Sequence, residues 1–341
     1  MLRFSIIVPV YNAARYLSAC LASLLDQRDA PDYEILCIDD GSTDESPVLL
    51  DTAAAEHPDR IVVLHTENQG SILARREGIL RARGEYLLFA DADDLAEPDC
   101  LQTVNARLSA TDADILLYNH AAFSEGEPPC MQTPLYADGR VFEGEGKRPL
   151  YERMIAGWSL NNLWNKAIRA VLMQNDPTDF AFYADNPMGD DLLLSLEPMT
   201  QAKRIAYCDK PLYRYRKTAG GLTQTFDERR YRRLCDGRIV GRLKEYLPRW
   251  GLLDAAHLAS YQKRLLLQRI DTAMSFYRHA ADASVQRAVL VRDWLKDLPM
   301  DAAELRRAAR ALPLKQRVQY VCIRCRLRLV LNLLLRRNRK A

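Results

Sequence analysis

Clusters of carboxylate and other polar side chains follow four strand-like apolar segments in the first third of the chain. Turn formation alone would explain one or two such clusters, because Asp, Asn and Gly favour turns. Four clusters that each close an apolar segment instead indicate one shared site. The clusters are Pro9-Val10-Tyr11-Asn12, Asp39-Asp40-Gly41-Ser42-Thr43-Asp44, Glu67-Asn68-Gln69-Gly70 and Asp91-Ala92-Asp93-Asp94.

The last cluster contains two carboxylates in a D-x-D arrangement. Asp91 and Asp93 are separated by Ala92, and alternate residues at a strand end point to the same side. Two carboxylates leave Mg²⁺ or Mn²⁺ several open positions, which phosphate oxygens fill in nucleotide enzymes. The alternative is a solvated acidic turn before the helix that Pro98 begins. Its place after an apolar strand favours the metal site.

Three residues of the first two clusters have chemistry that suits a nucleotide. In a doubly wound sheet, Asp39 and Asp40 would lie beside a base or ribose, from which a carboxylate accepts hydrogen bonds. The ring of Tyr11 offers a flat face on which a base stacks. The alternative for the second cluster is helix capping by Thr43 or Ser46.

Two further segments carry residues suited to group transfer. Arg75 lies on the helix after Gly70, where a guanidinium can face phosphate; a solvated arginine is the alternative. Asp191 follows Gly189 at the start of an apolar helix, whose dipole would keep a general base ionised. The alternative there is a helix N-terminus with an acidic first turn. No G-x-G-x-x-G follows the first strand and no G-x-x-x-x-G-K-[ST] occurs, which disfavours a dinucleotide Rossmann site and excludes a P-loop.

Alternating strand and helix patterns place the four clusters. Continuous apolar strands separated by helices predict a parallel sheet covered on both faces, with ligands at the carboxyl ends of the strands. The predicted strands are Ser5–Val10, Glu34–Asp39, Ile61–His65 and Tyr86–Ala90, and the predicted helices are Ala14–Leu25, Ser46–Ala55 and Ser71–Arg83.

The later part of the chain is predicted to be mostly helical. Residues 121–150 are rich in Pro, Gly and Glu and indicate an irregular connection. A helical pattern covers Leu150–Asn175, and an apolar helix is predicted at Leu192–Met199. Lys203–Tyr207 resembles a strand, and the pattern is helical from about Phe226 onward.

Charge is distributed unevenly along the 341 residues, although the net charge is only +3. Residues 305–341 contain twelve Lys or Arg and no acid, so the first 304 residues carry 3 − 12 = −9. The eight cysteines show no disulfide or zinc framework, and Cys322 and Cys325 form a lone C-x-x-C. We therefore expect a reducing, cytoplasmic compartment. We also expect no signal peptide and no transmembrane segment, which needs about 20 apolar residues.

The basic segment at residues 305–341 is expected to bind an anionic surface. A Lys/Arg-rich apolar helix suits an anionic membrane, with Val318, Val321, Cys322, Cys325 and Leu329 on one face. The alternative is packing on the acidic body or on a second subunit, which would make a homo-oligomer. Nucleic acid is disfavoured as a partner because no binding module accompanies the charge.

The order of these blocks resembles a family-2 glycosyltransferase of the GT-A fold, of the bacterial cell-surface polysaccharide type. The resemblance covers roughly residues 3–225, which predicts a GT-A domain at 1–225 followed by a helical region at 226–341. The fold class is therefore α/β, with a mostly parallel sheet and helices on both faces. The blocks are Ser5–Asn12, Asp39–Asp44, Asp91–Asp94, Asn165-Lys166, Gly189-Asp190-Asp191 and Asp209–Arg216.

The resemblance implies an inverting transfer from a nucleotide-diphosphate sugar, usually a UDP-sugar, with a divalent metal. Tyr11 would stack on the base and Asp40 would hydrogen-bond it, with Asp39 as support. Asp93 would bind the metal, and Asp91 would bind the metal or hold the ribose. The remaining residues of the nucleotide-sugar site would be Pro9, Asn12, Gly70, Arg75 and Ala92.

Asp191 matches the family's catalytic base, which usually follows a Glu; here Asp190 stands in that place. The residues predicted to meet the acceptor or the diphosphate are Trp164, Lys166, Asp190 and Arg216. A buried core position is the alternative for Trp164. The implied role is extension of a glycan or lipid-linked saccharide at the cytoplasmic face of a membrane. The rival interpretations are a D-x-D phosphohydrolase and a non-catalytic sugar-nucleotide or membrane-binding module.

Overall fold

The computed structural model describes residues 2–186, 189–217, 237–279, 298–325 and 327. The chain divides into two compact units, Met1–Pro149 with Asn161–Gly221, and Leu150–Leu160 with Leu222–Ala341. The predicted domain boundary at residues 225 and 226 lies outside the described residues.

The first unit alternates strands and helices in its first half, as predicted. Its strands are β1 Phe4–Val10, β2 Tyr33–Asp40, β3 Ile61–Thr66, β4 Tyr86–Phe89, β5 Leu95–Ala96, β6 Ile115–Phe123, β7 Cys130–Met131, β8 Val141–Glu143, β9 Lys166–Arg169 and β10 Arg204–Arg216. The helices up to residue 201 are α1 Ala14–Leu25, α2 Ser46–Glu56, α3 Ser71–Arg81, α4 Cys100–Thr111, α5 Arg148–Ala156, α6 Ala170–Gln174 and α7 Asp190–Gln201, with 3₁₀ turns at Gly144–Lys147 and Phe180–Tyr183.

All ten strands of the described residues belong to one mixed sheet, in the order β3-β2-β1-β4-β9-β6-β10-β5, with β7 beside β6 and β8 beside β10. Neighbours among β1 to β4 are parallel, as are β6 and β10, whereas β9 runs antiparallel to β4 and β6. Every residue of β2 is buried, which is typical of a strand covered on both faces. The predicted α/β class is confirmed.

The helical periodicity of α1 shows how one covering helix packs. Its buried residues are Leu17, Cys20, Leu21 and Leu24, which recur at helical spacing on one face. They join a core that includes residues of β1, β2 and β4. The packing of α1 holds the carboxyl ends of these strands in fixed relative positions.

The helix predicted over Leu150–Asn175 is wrong in its middle. Helix α5 ends at Ala156, and β9 occupies Lys166–Arg169 before α6 begins. Ala167 and Ile168 are fully buried between β4 and β6. A short apolar run of this kind has no periodicity that separates strand from helix, so its sheet neighbours decide the structure.

Strand β10 is longer than the predicted Lys203–Tyr207 and extends to Arg216. Its pairing with β6 shifts register between Cys208 and Pro211 and again before Tyr213. Proline has no N–H for the sheet and is tolerated at such irregularities. Beyond the shift, β10 continues beside the D-x-D loop.

The described part of the second unit contains four further helices, α8 Arg238–Tyr246, α9 Ala255–His279, α10 Ala302–Arg310 and α11 Leu314–Arg324. Asp301 and Glu304 form a capping box at the start of α10. Among the described residues, we find no helix with the length and hydrophobicity to cross a bilayer. Most of the predicted basic tail beyond Cys325 lies outside the described residues.

Candidate active site

The loops after β1 and β2 are tied together by side chains that bind backbone groups. The side-chain oxygen of Asn12 accepts from the Thr43 N–H at 2.8 Å, and the Asn12 N–H donates to Ser42 Oγ at 3.0 Å. Asp39 accepts from the Ser42 N–H at 3.0 Å, and Asp44 accepts from the Ala14 N–H at 3.0 Å. We call Asn12, Asp39, Asp40 and Asp44 the loop-clamp group.

Asp40 connects β2 to the start of α3. Its two carboxylate oxygens accept from the N–H groups of Gln69 at 2.7 Å and Gly70 at 2.9 Å. Gly70 has φ 90°, and a side chain there would place Cβ 2.9 Å from the carbonyl oxygen of Ala184, so glycine is required. Burial raises the pKa of Asp40. Asp40 thereby fixes the entry into α3, the helix that carries Arg75.

Arg75 is the centre of a second group of charges. It is only 7% exposed, and it donates to Asp91 Oδ1 at 2.6 Å and to the carboxylate of Asp190. A third and longer nitrogen–oxygen approach, of 4.0 Å, joins Arg75 to Asp191 Oδ1. Burial opposes its charge, but the three carboxylates raise its pKa above the ordinary value. We call Arg75, Asp91, Asp190 and Asp191 the arginine-centred group.

Asp191 has an unsatisfied carboxylate at the start of α7. Its Oδ1 is buried and has no hydrogen-bond partner within the described part of the chain. Burial, and then the negative charge of Asp190, raise the pKa of Asp191 to about 7, while Arg75 and Lys166 oppose this shift. Such a carboxyl can take up and give up a proton near neutral pH, as a general base must.

Lys166 is completely buried at the start of β9, where it pairs with Leu117 of β6. Its Nζ donates to the Asn162 carbonyl and to Asn165 Oδ1, the latter at 3.2 Å. Burial lowers the pKa of Lys166 to about 7, and the charge of Asp191 opposes this. The structure therefore brings Lys166 into the electrostatic surroundings of Asp191, but not onto an open surface.

Asp94 and Tyr213, which were not predicted as site residues, hold the D-x-D loop against β10. The carboxylate of Asp94 accepts from Tyr213 Oη at 2.9 Å and from the Arg216 N–H at 2.7 Å. The Asp91 N–H donates to Tyr213 Oη at 2.9 Å, and Arg216 Nε donates to the Asp93 carbonyl at 2.6 Å. In the sequence, Asp94 could have been recognised as a site residue because it is a third acid directly after the D-x-D pair.

The D-x-D carboxylates fit a hard divalent cation. The described residues hold no group of three or more His, Cys, Asp or Glu side chains that could bind a metal by itself. Asp91 and Asp93 offer oxygen ligands, and burial raises the pKa of both carboxyls, a cost that a bound cation would relieve. Mg²⁺ and Mn²⁺ accept one or two carboxylates when phosphate oxygens and water complete the shell. The donor set therefore fits a cation that arrives with a diphosphate.

Two of the predicted acceptor residues, Trp164 and Arg216, are packed against aromatic rings. Trp164 is 5% exposed and stacks on Tyr213 and Tyr215, with centroids 4.8 and 5.8 Å apart, as the buried alternative would have it. Arg216 is held between Tyr16 and Phe123, with its guanidinium over both rings. The acceptor roles of these side chains remain predictions, and the half-buried Tyr215 is the more accessible member of the aromatic cluster.

The remaining predicted nucleotide residues lie at the ends of β1 and β4. Tyr11 is 53% exposed, so a ring face is open to a planar ligand. Pro9 lies in β1, opposite Ile38 of β2, and Ala92 is buried between the two D-x-D carboxylates. Together with the two charged groups, they lie on segments at the carboxyl ends of the parallel strands, where such sheets bind ligands.

A family model described as Glycosyl transferase family 2 matches residues 5–180, just over half of the chain. The chain belongs to this family. EpsH of Bacillus subtilis strain 168 is 30% identical over 230 residues, which are 66% of this chain and 64% of EpsH. Glycosyltransferase GlyA of Streptococcus pneumoniae is 29% identical over 273 residues, 77% of this chain and 37% of GlyA. The chain thus spans less than two thirds of each of these two relatives.

Solved structures share the fold of this family-2 chain. A crystal structure of Staphylococcus aureus TarS 1–349 gives a TM-score of 0.60 at 22% identity, covering 96% of this chain and 91% of that one. The mannosyltransferase PcManGT from Pyrobaculum calidifontis, in complex with GDP-Man and Mn²⁺, gives a TM-score of 0.52 at 18% identity over 96% and 85%. At these identities, the likeness shows the fold alone.

Proposed function

We propose that this family-2 chain is an inverting, metal-dependent glycosyltransferase that moves a hexosyl or N-acetylhexosaminyl group from a UDP-sugar to a saccharide or lipid-linked acceptor. The observation that carries this proposal is the arginine-centred group. It brings a D-x-D carboxylate and the acids at the start of α7 to one buried guanidinium. Membership of the family supports the reaction class.

The donor would bind along the ends of β1, β2 and β4. The exposed ring of Tyr11 would stack on the base, and Asp40 would accept from a base N–H. Although both oxygens of Asp40 already bind backbone N–H groups, each carboxylate oxygen keeps a second lone pair. Asp39, Asn12 and Gly70 would shape this subsite. TarS 1–349, which shares the fold, was crystallised with UDP-GlcNAc, and this supports a UDP-sugar as donor.

Asp191 would act as the general base. Inversion requires a carboxylate that takes the proton of the acceptor hydroxyl while that oxygen attacks the anomeric carbon opposite the leaving diphosphate. The unpartnered oxygen of Asp191 can accept this hydroxyl. Asp190 holds Arg75 beside it, and we assign Asp190 a positioning role.

Positive charge would stabilise the departing UDP. Asp93, with Asp91, would hold Mn²⁺ or Mg²⁺, which supplies Lewis-acid stabilisation of the diphosphate when bound. Arg75 adds a buried cation at the same edge, and Arg216 adds another next to the Asp93 carbonyl. The Mn²⁺ in the PcManGT structure supports this use of a divalent metal.

We further propose that the acceptor belongs to a surface polysaccharide made at the cytoplasmic face of the cell membrane. A relative named poly(ribitol-phosphate) beta-glucosyltransferase, which is 40% identical over 102 residues, supports this setting. A peripheral position on this membrane would place the chain close to lipid-linked acceptors. The alternative partner of the basic segment is a second copy of this chain.

The test is acceptor-dependent release of UDP. The full chain is incubated with Mn²⁺, a set of UDP-sugars, and oligosaccharide acceptors that are either soluble or lipid-linked. We expect UDP only when donor and acceptor are both present, and loss of release on addition of EDTA. Inorganic phosphate released without an acceptor would instead indicate a phosphohydrolase, and release undiminished by EDTA would contradict the metal role of Asp91 and Asp93.

A binding measurement separates catalysis from simple recognition. The donor that supports turnover should raise the midpoint of thermal unfolding in the presence of Mn²⁺, because a ligand of the native state stabilises it. Stabilisation by a UDP-sugar without turnover on any acceptor would favour a non-catalytic sugar-nucleotide module.

A further inference from the structure

Helix α11 has a row of apolar side chains on its solvent side. Leu314, Val318 and Val321 are 77%, 36% and 45% exposed, and Cys325 at the end of the helix is exposed as well. Their spacing of four, three and four residues places them on one face of the helix. Single exposed apolar residues are ordinary on protein surfaces, whereas contiguous exposed apolar patches are typical of interaction sites. We call these four residues the α11 stripe.

The stripe is not the side by which α11 packs into its own unit. The buried residues of the helix are Gln319, Tyr320, Cys322 and Ile323, and the helix packs on α9 and α10. The predicted apolar face that included Cys322 is therefore wrong at that residue. Since a different side of α11 already packs into the core of its unit, the stripe is a second apolar surface.

Basic side chains border the stripe on both sides. At 100° per residue, Arg317 and Arg324 lie on one side of it and Lys315 on the other, and all three are exposed. The Arg317 guanidinium donates to backbone carbonyls, and Arg324 donates to Tyr320 Oη at 3.2 Å. Within the described part of the chain, none of the three forms an ion pair with a carboxylate, so their charge is available to a partner.

We propose that the α11 stripe inserts into the interface of an anionic lipid membrane, with Lys315, Arg317 and Arg324 on the lipid phosphates. The proposal rests on the proposed function only for the membrane setting, and it assigns the contact to a defined helix face. An apolar row bordered by Lys and Arg is the composition of helices that lie in the plane of a membrane. Each basic residue near an anionic surface adds about 1 kcal/mol of attraction, roughly fivefold in affinity.

Charge favours lipid over a second copy of this chain. A symmetric contact through the stripe would bring the same basic residues of two copies together, and like charges across an interface oppose association. The whole segment 305–341 carries twelve Lys or Arg and no acid. An anionic surface offers the complementary charge that a second copy of this segment lacks.

The test is co-sedimentation of the full chain with sucrose-loaded vesicles, with no donor or acceptor present. Vesicles of phosphatidylcholine with 30 mol% phosphatidylglycerol are compared with pure phosphatidylcholine, at low and high salt. We expect binding to the anionic vesicles, weakened by salt because exposed charges are screened. The double variant Val318→Ser/Val321→Ser should bind about tenfold more weakly, because less apolar surface leaves water.

Matched controls come from the first unit. Val48 on α2 and Val171 on α6 are also exposed helical valines, so Val48→Ser/Val171→Ser should bind as the parent does. For charge, Lys315→Glu/Arg324→Glu should lose at least tenfold, whereas Arg28→Glu/Lys203→Glu, which also alters exposed residues, should lose far less. Circular dichroism and thermal unfolding identify any variant that fails to fold.

Three results would overturn the proposal. The first is equal binding to neutral and anionic vesicles, and the second is undiminished binding of the variant Val318→Ser/Val321→Ser. The third is a chain that does not bind vesicles but forms an oligomer, when the same variant is monomeric. The last result would assign the stripe to a second copy. Failure here leaves turnover on a soluble acceptor intact, whereas failure of the proposed function leaves vesicle binding intact, so the two failures are distinguishable.

Discussion

Two groups of acidic residues lie at the ligand-binding edge of the sheet and are used in different ways. In the loop-clamp group, Asp40 and Asp44 accept hydrogen bonds from backbone N–H groups of neighbouring loops. In the arginine-centred group, three acids share Arg75, and Asp191 Oδ1 accepts no hydrogen bond within the described part of the chain. The first group holds the loops of the proposed donor subsite together, whereas the second retains a buried carboxylate oxygen that accepts no hydrogen bond.

The energetic consequences of the two arrangements are opposite. A carboxylate that accepts backbone N–H groups satisfies donors that would otherwise be unpaired, and this stabilises a loop. A buried carboxylate oxygen without a donor costs about 1–3 kcal/mol. The unpartnered oxygen of Asp191 therefore does not owe its arrangement to stability. We expect substitution of Asp191 to affect activity, and substitution of Asp44 in the loop-clamp group to affect stability.

The largest expected effect is that of Asp191→Asn on turnover. Loss of the general base should lower kcat by roughly 10²–10⁴-fold, because that is the usual contribution of such a group. The midpoint of thermal unfolding should stay the same or rise, since a neutral amide is cheaper to bury than a carboxylate. Steady-state UDP release and thermal unfolding measure the two quantities, and donor-induced stabilisation should survive.

The matched control is Asp44→Ala in the loop-clamp group. It removes the acceptor for the Ala14 and Ser46 N–H groups, which should cost about 1 kcal/mol of stability and leave most of the turnover. If both variants lose activity and stability in the same proportion, the division into two groups does not hold.

The next effect is that of Arg75→Gln on stability. Removal of the cation leaves Asp91, Asp190 and Asp191 facing one another, and breaking a buried ion pair in this way costs roughly 3–5 kcal/mol. The loss should shrink as the pH falls, because the carboxyls whose pKa is raised then become neutral. Denaturant unfolding at pH 5 and pH 8 measures this. An equal loss at both pH values would show that charge repulsion is not the cause.

A smaller effect concerns the pH dependence of turnover in Asp190→Asn. The negative charge of Asp190 helps to raise the pKa of Asp191, so its removal lowers that pKa and leaves the base ionised at lower pH. The acidic limb of kcat/KM, expected near pH 7 in the parent, should therefore move to lower pH. The asparagine can still accept from Arg75. If the acidic limb does not move, a group other than Asp191 is responsible for the pH dependence.

The two groups also differ in how far the sequence could predict them. The strands β1 to β4 and the helices between them lie within two residues of their predicted bounds, because continuous apolar strands and amphipathic helices are local patterns. The residues of the loop-clamp group lie at the ends of those strands or just after them, so their place could be predicted too. The ten-stranded order with β9 between β4 and β6 could not, since it depends on pairing between distant segments.

The arginine-centred group shows what local patterns miss. Arg75 and Asp190 are 115 positions apart, and no spacing rule joins them. The roles of Asp94 and Tyr213 as a brace for the D-x-D loop depend equally on where β10 runs. Each acid could be predicted as a candidate, but the shared guanidinium and the unpartnered oxygen of Asp191 follow only from the tertiary structure.

The smallest expected effect is a pH-dependent contribution of His65 to the loop-clamp group. His65 Nδ1 lies 2.8 Å from Asp39 Oδ2 and Nε2 lies 3.1 Å from Asp51 Oδ1, and these carboxylates raise its pKa. Since the pKa is raised on folding, the stabilisation is fully present below the unfolded value of about 6.5 and is lost as pH rises through the folded value. With 43% of the side chain exposed, screening keeps it below about 1 kcal/mol. His65→Gln should therefore lower the unfolding midpoint at pH 5.5 but hardly at pH 8.5. A larger loss at pH 8.5 would mean that neutral His65 makes the contact.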